Sequence, residues 1–438
     1  MTGAPPRVFT LHRIHSSALK SGIGGFAVSW PELPLVSLSL ILPRGAECDP
    51  AGGGGLADLS AEMLTRGTRE KSASRLAAEI DGMGALLSSH SGWNGSSLSI
   101  SGLTEDLDRL LGLLLEIYTD PAFSNEEFEQ LKQRKIGQLV QQKDESQVIA
   151  DEHFEKILYQ GTPYDHPVYG GLESIPGLSV EMVRDFHKKN FLPEGSFFVA
   201  VGDLDPERCF GWLEKNFPAV RPGEERSGFA ASEARGFRTR IVDRPDLTQA
   251  QIRLGHVGIS HADPGFIPFE VMNYSLGGGG FSSRLMQRIR SDLGYTYGIH
   301  SYLEARKDRG PFGISTFTPT ELTFPCVREI LSILNEFLDK GVSPGEREES
   351  VNFLTGSYPR RFETISQIAQ RITQAQLHGL GLDYLSAYPE SVAGVSLETM
   401  CRCARENIRP GDMLAVVVGK SETFRRDFES LGPVEIVT

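Results

Sequence analysis

Two kinds of apolar spacing alternate along this chain of 438 residues. Leu35–Leu42 and Gln251–Val257 alternate apolar and polar positions, the two-residue period of a strand with one face buried. Asp106–Tyr118, Glu126–Gln142, Pro325–Lys340 and Gly345–Gly356 carry apolar residues three and four apart, the spacing of an amphipathic helix. Phe197–Val201 and Met413–Val418 are continuous apolar runs, which predicts buried strands. Runs of strands followed by runs of helices point to an α+β class, with a mostly antiparallel sheet and helices packed on one face.

The pattern occurs twice. Glu173–Gly202 and Glu390–Gly419 align without a gap at an offset of 217 positions (390 − 173). Identities include Gly177/Gly394, Ser179/Ser396, Asn190/Asn407, Pro193/Pro410 and Gly202/Gly419. In each copy a serine, Ser179 or Ser396, is placed to cap a helix. A proline, Pro193 or Pro410, stops that helix, because the residue before proline resists the helical region. A repeat of this length predicts two homologous domains, 1–220 and 238–438. The small, polar, glycine-rich stretch Arg221–Phe237 is the expected linker.

Charge narrows the partners. The chain has 44 basic and 57 acidic residues, a net charge of −13, which argues against nucleic acid and anionic membrane surfaces. The five cysteines, Cys48, Cys209, Cys326, Cys401 and Cys403, are scattered and odd in number, so no disulfide framework is implied. Met1–Lys20 has no continuous apolar signal region. No apolar run reaches the roughly 18 residues a membrane helix needs. The expectation is a soluble protein, cytoplasmic or periplasmic.

The stretch with the most chemical content is Gly53–Thr68, GGLADLSAEMLTRGT after its first glycine. It has the frame of a zinc-peptidase helix of the H-x-x-E-H type without that helix's chemistry. In the motif, two imidazoles at i and i+4 share one helix face and grip one ion, and the glutamate beside the second takes a proton from bound water. Here Asp58 and Glu62 stand at the ligand positions and Ala61 at the base position. A methyl group accepts no proton. None of the ten histidines forms H-x-x-E-H or H-E-x-x-H, and His12/His15 lacks a glutamate at the required spacing. No G-x-S-x-G elbow, phosphate loop or dinucleotide fingerprint is present either.

With that frame, the chain resembles the pitrilysin/insulinase family of zinc peptidases, in its two-domain bacterial and mitochondrial-processing branch. The likeness runs from about Phe26 to Val437. The resemblance implies the processing-peptidase, LuxS-like metallohydrolase fold in each half. It also implies a third zinc ligand, a glutamate roughly 76 residues beyond the second, and that position is Gln138. Asp58, Ala61, Glu62 and Gln138 are thus a degenerate site. Three oxygen ligands without imidazole suit a hard ion loosely and catalytic zinc poorly.

A second family element is intact. Arg290 and Tyr297 stand seven residues apart in IRSDLGYTY, following the glycine run Gly277, Gly278, Gly279 and Gly280. The resemblance implies that such an arginine and tyrosine bind peptide carbonyls over the zinc, and that the glycine-rich segment touches substrate. A guanidinium and a phenol are suited to stabilising carbonyl oxygen or a developing oxyanion. The expected function is therefore a non-catalytic subunit that binds no cofactor itself. It holds extended peptide and pairs with a zinc-bearing paralogous subunit. A purely structural subunit is the alternative; a peptidase active alone would need another base than Ala61.

Overall fold

The computed structural model describes residues 12–190, 194–219, 228–229 and 235–437. Apart from 228–229 and 235–237, the expected linker lies outside them, as does Pro193. The described chain forms two compact units, each built on a six-stranded sheet.

Unit 1 holds β1 (His15–Ala18), β2 (Gly24–Ser29), β3 (Leu35–Leu42), β4 (Leu86–Ser91), β5 (Ser96–Leu103) and β6 (Phe197–Gly202). Their order is β1-β2-β6-β3-β5-β4, antiparallel except for the β2–β6 pair. Unit 2 holds β7 (Arg238–Asp243), β8 (Gln249–Val257), β9 (Ile299–Leu303), β10 (Pro311–Pro319), β11 (Leu414–Gly419) and β12 (Val434–Val437). Their order is β12-β7-β11-β8-β10-β9. β2–β6 map onto β7–β11 in position; the outermost strand is supplied by β1 in one unit and β12 in the other. The sequence repeat is visible in these elements. β6 and β11 are buried at every residue. Ser179 and Ser396 cap the helices Val180–Asn190 and Leu397–Asn407 by accepting from Met182 N–H at 3.3 Å and Thr399 N–H at 3.1 Å.

The units are not contiguous halves. Unit 1 comprises Met1–Val140, His166–Ser227 and Pro359–Ser386, and unit 2 comprises Gln141–Asp165, Gly228–Tyr358 and Ala387–Thr438. The reason lies in the doubly buried central strands. In unit 1 one side of the sheet packs into a core with Leu38, Leu40, Phe198 and Ala200. The helix Ile365–Leu377 lies against β3 and β6, its Ile368, Ala369, Ile372 and Ala375 buried. In unit 2 the helix Ser146–Leu158 lies against β8 and β11, and Ala150 packs with Val242 and Val418. Each sheet thus takes a covering helix from the other half of the sequence.

Each unit also contains a histidine whose pKa is lowered by burial. In unit 2 His256 Nδ1 lies 3.0 Å from the Val257 carbonyl, and its Nε2 accepts the Arg409 N–H at 3.1 Å. Accepting requires an unprotonated ring, and burial pushes its pKa down to about 4. In unit 1 burial holds His187 near 4 as well, with Nε2 3.1 Å from the Tyr118 carbonyl. Both folded values lie below the unfolded one, so the unfolded chain takes up protons first. The stability these residues contribute above pH 6.5 is lost as pH falls towards 4. At pH 5 the loss is roughly 2 kcal/mol per histidine. Urea midpoints at pH 7.5 and 5.0 check this: the midpoint falls for the wild type and falls less for His256→Gln.

Candidate functional site

The helix Leu56–Leu64 starts at Gly55, whose φ of 92° suits glycine. No side chain of the helix caps it. Instead Asp49 reaches in from the preceding loop, its carboxylate accepting the N–H groups of Gly55 at 2.7 Å and Ala57 at 2.8 Å. Leu56, Leu59, Met63 and Leu64 are buried, and the helix packs against β4, β5 and the helix Val180–Asn190. Ala61 is fully buried and Asp58 is 9% exposed.

Asp58 and Glu62 share one helix face, as their i, i+4 spacing requires. Like charges this close need a cation, and the structure supplies one from the helix Asn125–Gln142. Lys135 Nζ lies 2.5 Å from Asp58 Oδ2 and also pairs with Glu62 Oε1. Arg134 Nη2 takes the other Glu62 oxygen at 2.7 Å. Gln138, one turn beyond Lys135, is exposed. Burial pushes the Asp58 pKa up against the pull of Lys135. Burial also works against the Lys135 ammonium, but Asp58 and Glu62 outweigh it and hold its pKa above the usual lysine value.

These residues do not fit zinc. The site has no imidazole, its two carboxylates are already neutralised by Lys135 and Arg134, and the base position is an alanine. Among the described residues no group of three or more His, Cys, Asp and Glu side chains is placed to hold a metal. His12 stacks on Trp30 with centroids 5.0 Å apart, and His15 opens β1. Sequence reasoning missed Lys135 and Arg134. The signal was available: an Asp/Glu pair on one face of a buried helix calls for a positive partner.

Unit 2 carries the other element. Tyr274–Gly278 and Met286–Asp292 are π-helical turns, a wide form frequent at functional sites. They place Arg290 so that its Nε donates to the Tyr297 carbonyl at 3.0 Å and its guanidinium sits 4.6 Å from the Phe281 ring centroid. The expected pair is therefore in contact, through the tyrosine's backbone. The Tyr297 side chain is 83% exposed and Phe281 68% exposed. The glycine run has a packing cause at two positions. A Cβ on Gly277 would lie 2.5 Å from Ser301 Oγ, and one on Gly279 2.6 Å from the Tyr274 carbonyl oxygen.

Residues 28–171 match the family described as Insulinase (Peptidase family M16), and residues 177–354 match the Peptidase M16 inactive domain. The chain belongs to the insulinase family. It is an inactive member of that family. An uncharacterized zinc protease of Rickettsia bellii is 26% identical over 69% of this chain and 73% of that protein. The non-peptidase homolog YmxG of Helicobacter pylori is 24% identical over 89% of this chain and 90% of its own length. The crystal structure of a peptidase M16 inactive domain from Pseudomonas fluorescens superposes with a TM-score of 0.87 at 24% identity, covering 93% of this chain and 98% of that one. That likeness establishes the insulinase-family fold, α+β in two domains. No helix among the described residues is long and apolar enough to cross a membrane.

Proposed function

We propose that this chain is the non-catalytic subunit of a heterodimeric zinc metallopeptidase. It holds an extended peptide and lends Arg290 and Tyr297 to a zinc site carried by a paralogous partner. One observation carries the reading: the motif helix is closed by its own cation, while Arg290 bonds the Tyr297 carbonyl and stacks on Phe281, and both of those aromatic residues are exposed. A guanidinium over an aromatic ring and an exposed phenol offer donors and apolar area, as peptide backbone recognition requires. The edge strand β4 supports peptide holding in unit 1. Among the described residues it pairs with β5 alone, and it has no charged residue or proline to block a further strand. Gly280, with φ of 60°, leaves open space where a side chain would stand, so this part of the glycine run can take close backbone approach.

A purely structural role is the second reading. The use of Arg290 Nε on the chain's own Tyr297 carbonyl favours it.

The two separate by peptide binding. A fluorescein-labelled extended peptide, titrated into the isolated chain and followed by anisotropy, is expected to bind. Tyr297→Ala is expected to weaken it about tenfold, the loss of one well-placed aromatic contact. No binding, or equal binding by Tyr297→Ala, would favour the structural reading.

A further inference from the structure

We propose that Lys135 is the resident cation of this degenerate site, so that unit 1 carries a built-in ammonium that excludes divalent metal. Asp58 and Glu62 occupy the ligand positions of the family motif, and the ammonium bridges both. It comes from the helix that carries Gln138, the position of the third family ligand. Lys135 and Asp58 are both largely buried, with side chains 13% and 12% exposed. With Arg134 on Glu62, two negative and two positive charges cancel. A divalent ion entering there would meet a neutral cluster and would have to expel a buried ammonium. The cross-link also does a mechanical task that bound metal does elsewhere, tying the motif helix to a helix 77 residues away in sequence. This subunit would therefore assemble its site without any metal supply. The inference stands apart from the peptide-holding reading.

It has a consequence that an ordinary ion pair lacks. Removing the ammonium leaves the two carboxylates of Asp58 and Glu62 on one helix face without the cation that bridges them, oxygen ligands suited to a hard divalent cation. The test uses Lys135→Met and manganese chloride as the probe, with thermal unfolding and titration calorimetry as readouts. The wild-type Tm is expected to be the same in EDTA and in Mn²⁺, with no calorimetric binding at this site. Lys135→Met is expected to lose roughly 5 °C or more in EDTA, to recover at least half of it in Mn²⁺, and to bind about one ion. Asp58→Asn/Glu62→Gln/Lys135→Met is expected to ignore Mn²⁺. If Lys135→Met is too unstable to purify, refolding from urea that succeeds only with Mn²⁺ supports the inference, and equal failure with and without it overturns it. A wild-type Tm that falls on chelation also overturns it, as does a Lys135→Met protein that loses no stability or loses it without any response to Mn²⁺.

Discussion

Arg306→Met is expected to destabilise unit 2 by about 3 kcal/mol, because it removes one cation from between two carboxylates. Arg306 is 1% exposed and is among the largest fully buried side chains of the chain. Its Nη2 donates to Glu155 Oε1 at 2.6 Å and to Glu304 Oε2 at 2.9 Å, and its Nε donates to Glu304 Oε1 at 2.9 Å. The guanidinium lies 5.0 Å from the ring centroids of Tyr159 and Tyr164. Glu155 sits on the covering helix Ser146–Leu158, and Glu304 follows β9. This arginine thus locks a helix from the first half of the sequence onto the second unit's sheet. Burial, followed by repulsion from Glu304, already pushes the Glu155 pKa up to about 7 with the arginine in place. Without it, the Glu155 and Glu304 carboxylates lose the buried cation that both of them bond, and the loss exceeds that of a surface pair. Hydrogen exchange measures it locally: amides of β9, β10 and Ser146–Leu158 should lose protection together. Unchanged protection there would show that packing of Ala150 and its neighbours, not Arg306, holds the helix.

Arg290→Ala is expected to lower kcat/KM of the assembled peptidase by about 100-fold with little change in stability. The stability expectation follows from position. Arg290 makes one bond to a backbone carbonyl and one stacking contact with the exposed Phe281, and exposed contacts of this kind contribute about 1 kcal/mol or less. The activity expectation follows from the proposed role. A donor aimed at a carbonyl that gains negative charge is worth roughly 10² to 10³ in rate when it is removed. Arg290→Lys keeps the charge and loses the planar fork, so it should recover only part of the activity. Steady-state cleavage by the pair, with Tm measured alongside, separates the effects. Full activity in Arg290→Ala would make the arginine a relic of the fold.

How much of this was legible in the sequence depended on how local the cause was. The helix expected at Glu126–Gln142 and the strand expected at Leu35–Leu42 follow from their own periodicity, and the structure places them at Asn125–Gln142 and Leu35–Leu42. The duplication was legible because Ser179/Ser396 and Gly202/Gly419 do the same local task in both copies. The degenerate motif at Asp58, Ala61 and Glu62 could be read at all because a motif is contiguous. What pairs with it was legible only in part: the Asp58/Glu62 pair calls for a cation, but Lys135 is 77 positions from Asp58 and nothing near it marks it as the partner. The exchanged helices were illegible for a related reason. The apolar face of Ile365–Leu377 announces that it will be buried, but not that β3 and β6 will bury it. Nothing in the sequence marks Phe281 as a partner of Arg290, and the π-helical path of Met286–Asp292 brings Arg290 over its ring.

The central claim, that this polypeptide assists hydrolysis without performing it, is tested most directly by one assay. Cleavage of an extended peptide is followed with this chain alone, a zinc-bearing paralogue alone, and the two together. The account predicts no turnover by this chain at any zinc concentration, and cleavage that rises with its concentration to saturation at one copy per partner. Chelator-sensitive cleavage by this chain alone, or the same rate from the partner with and without it, would contradict the account.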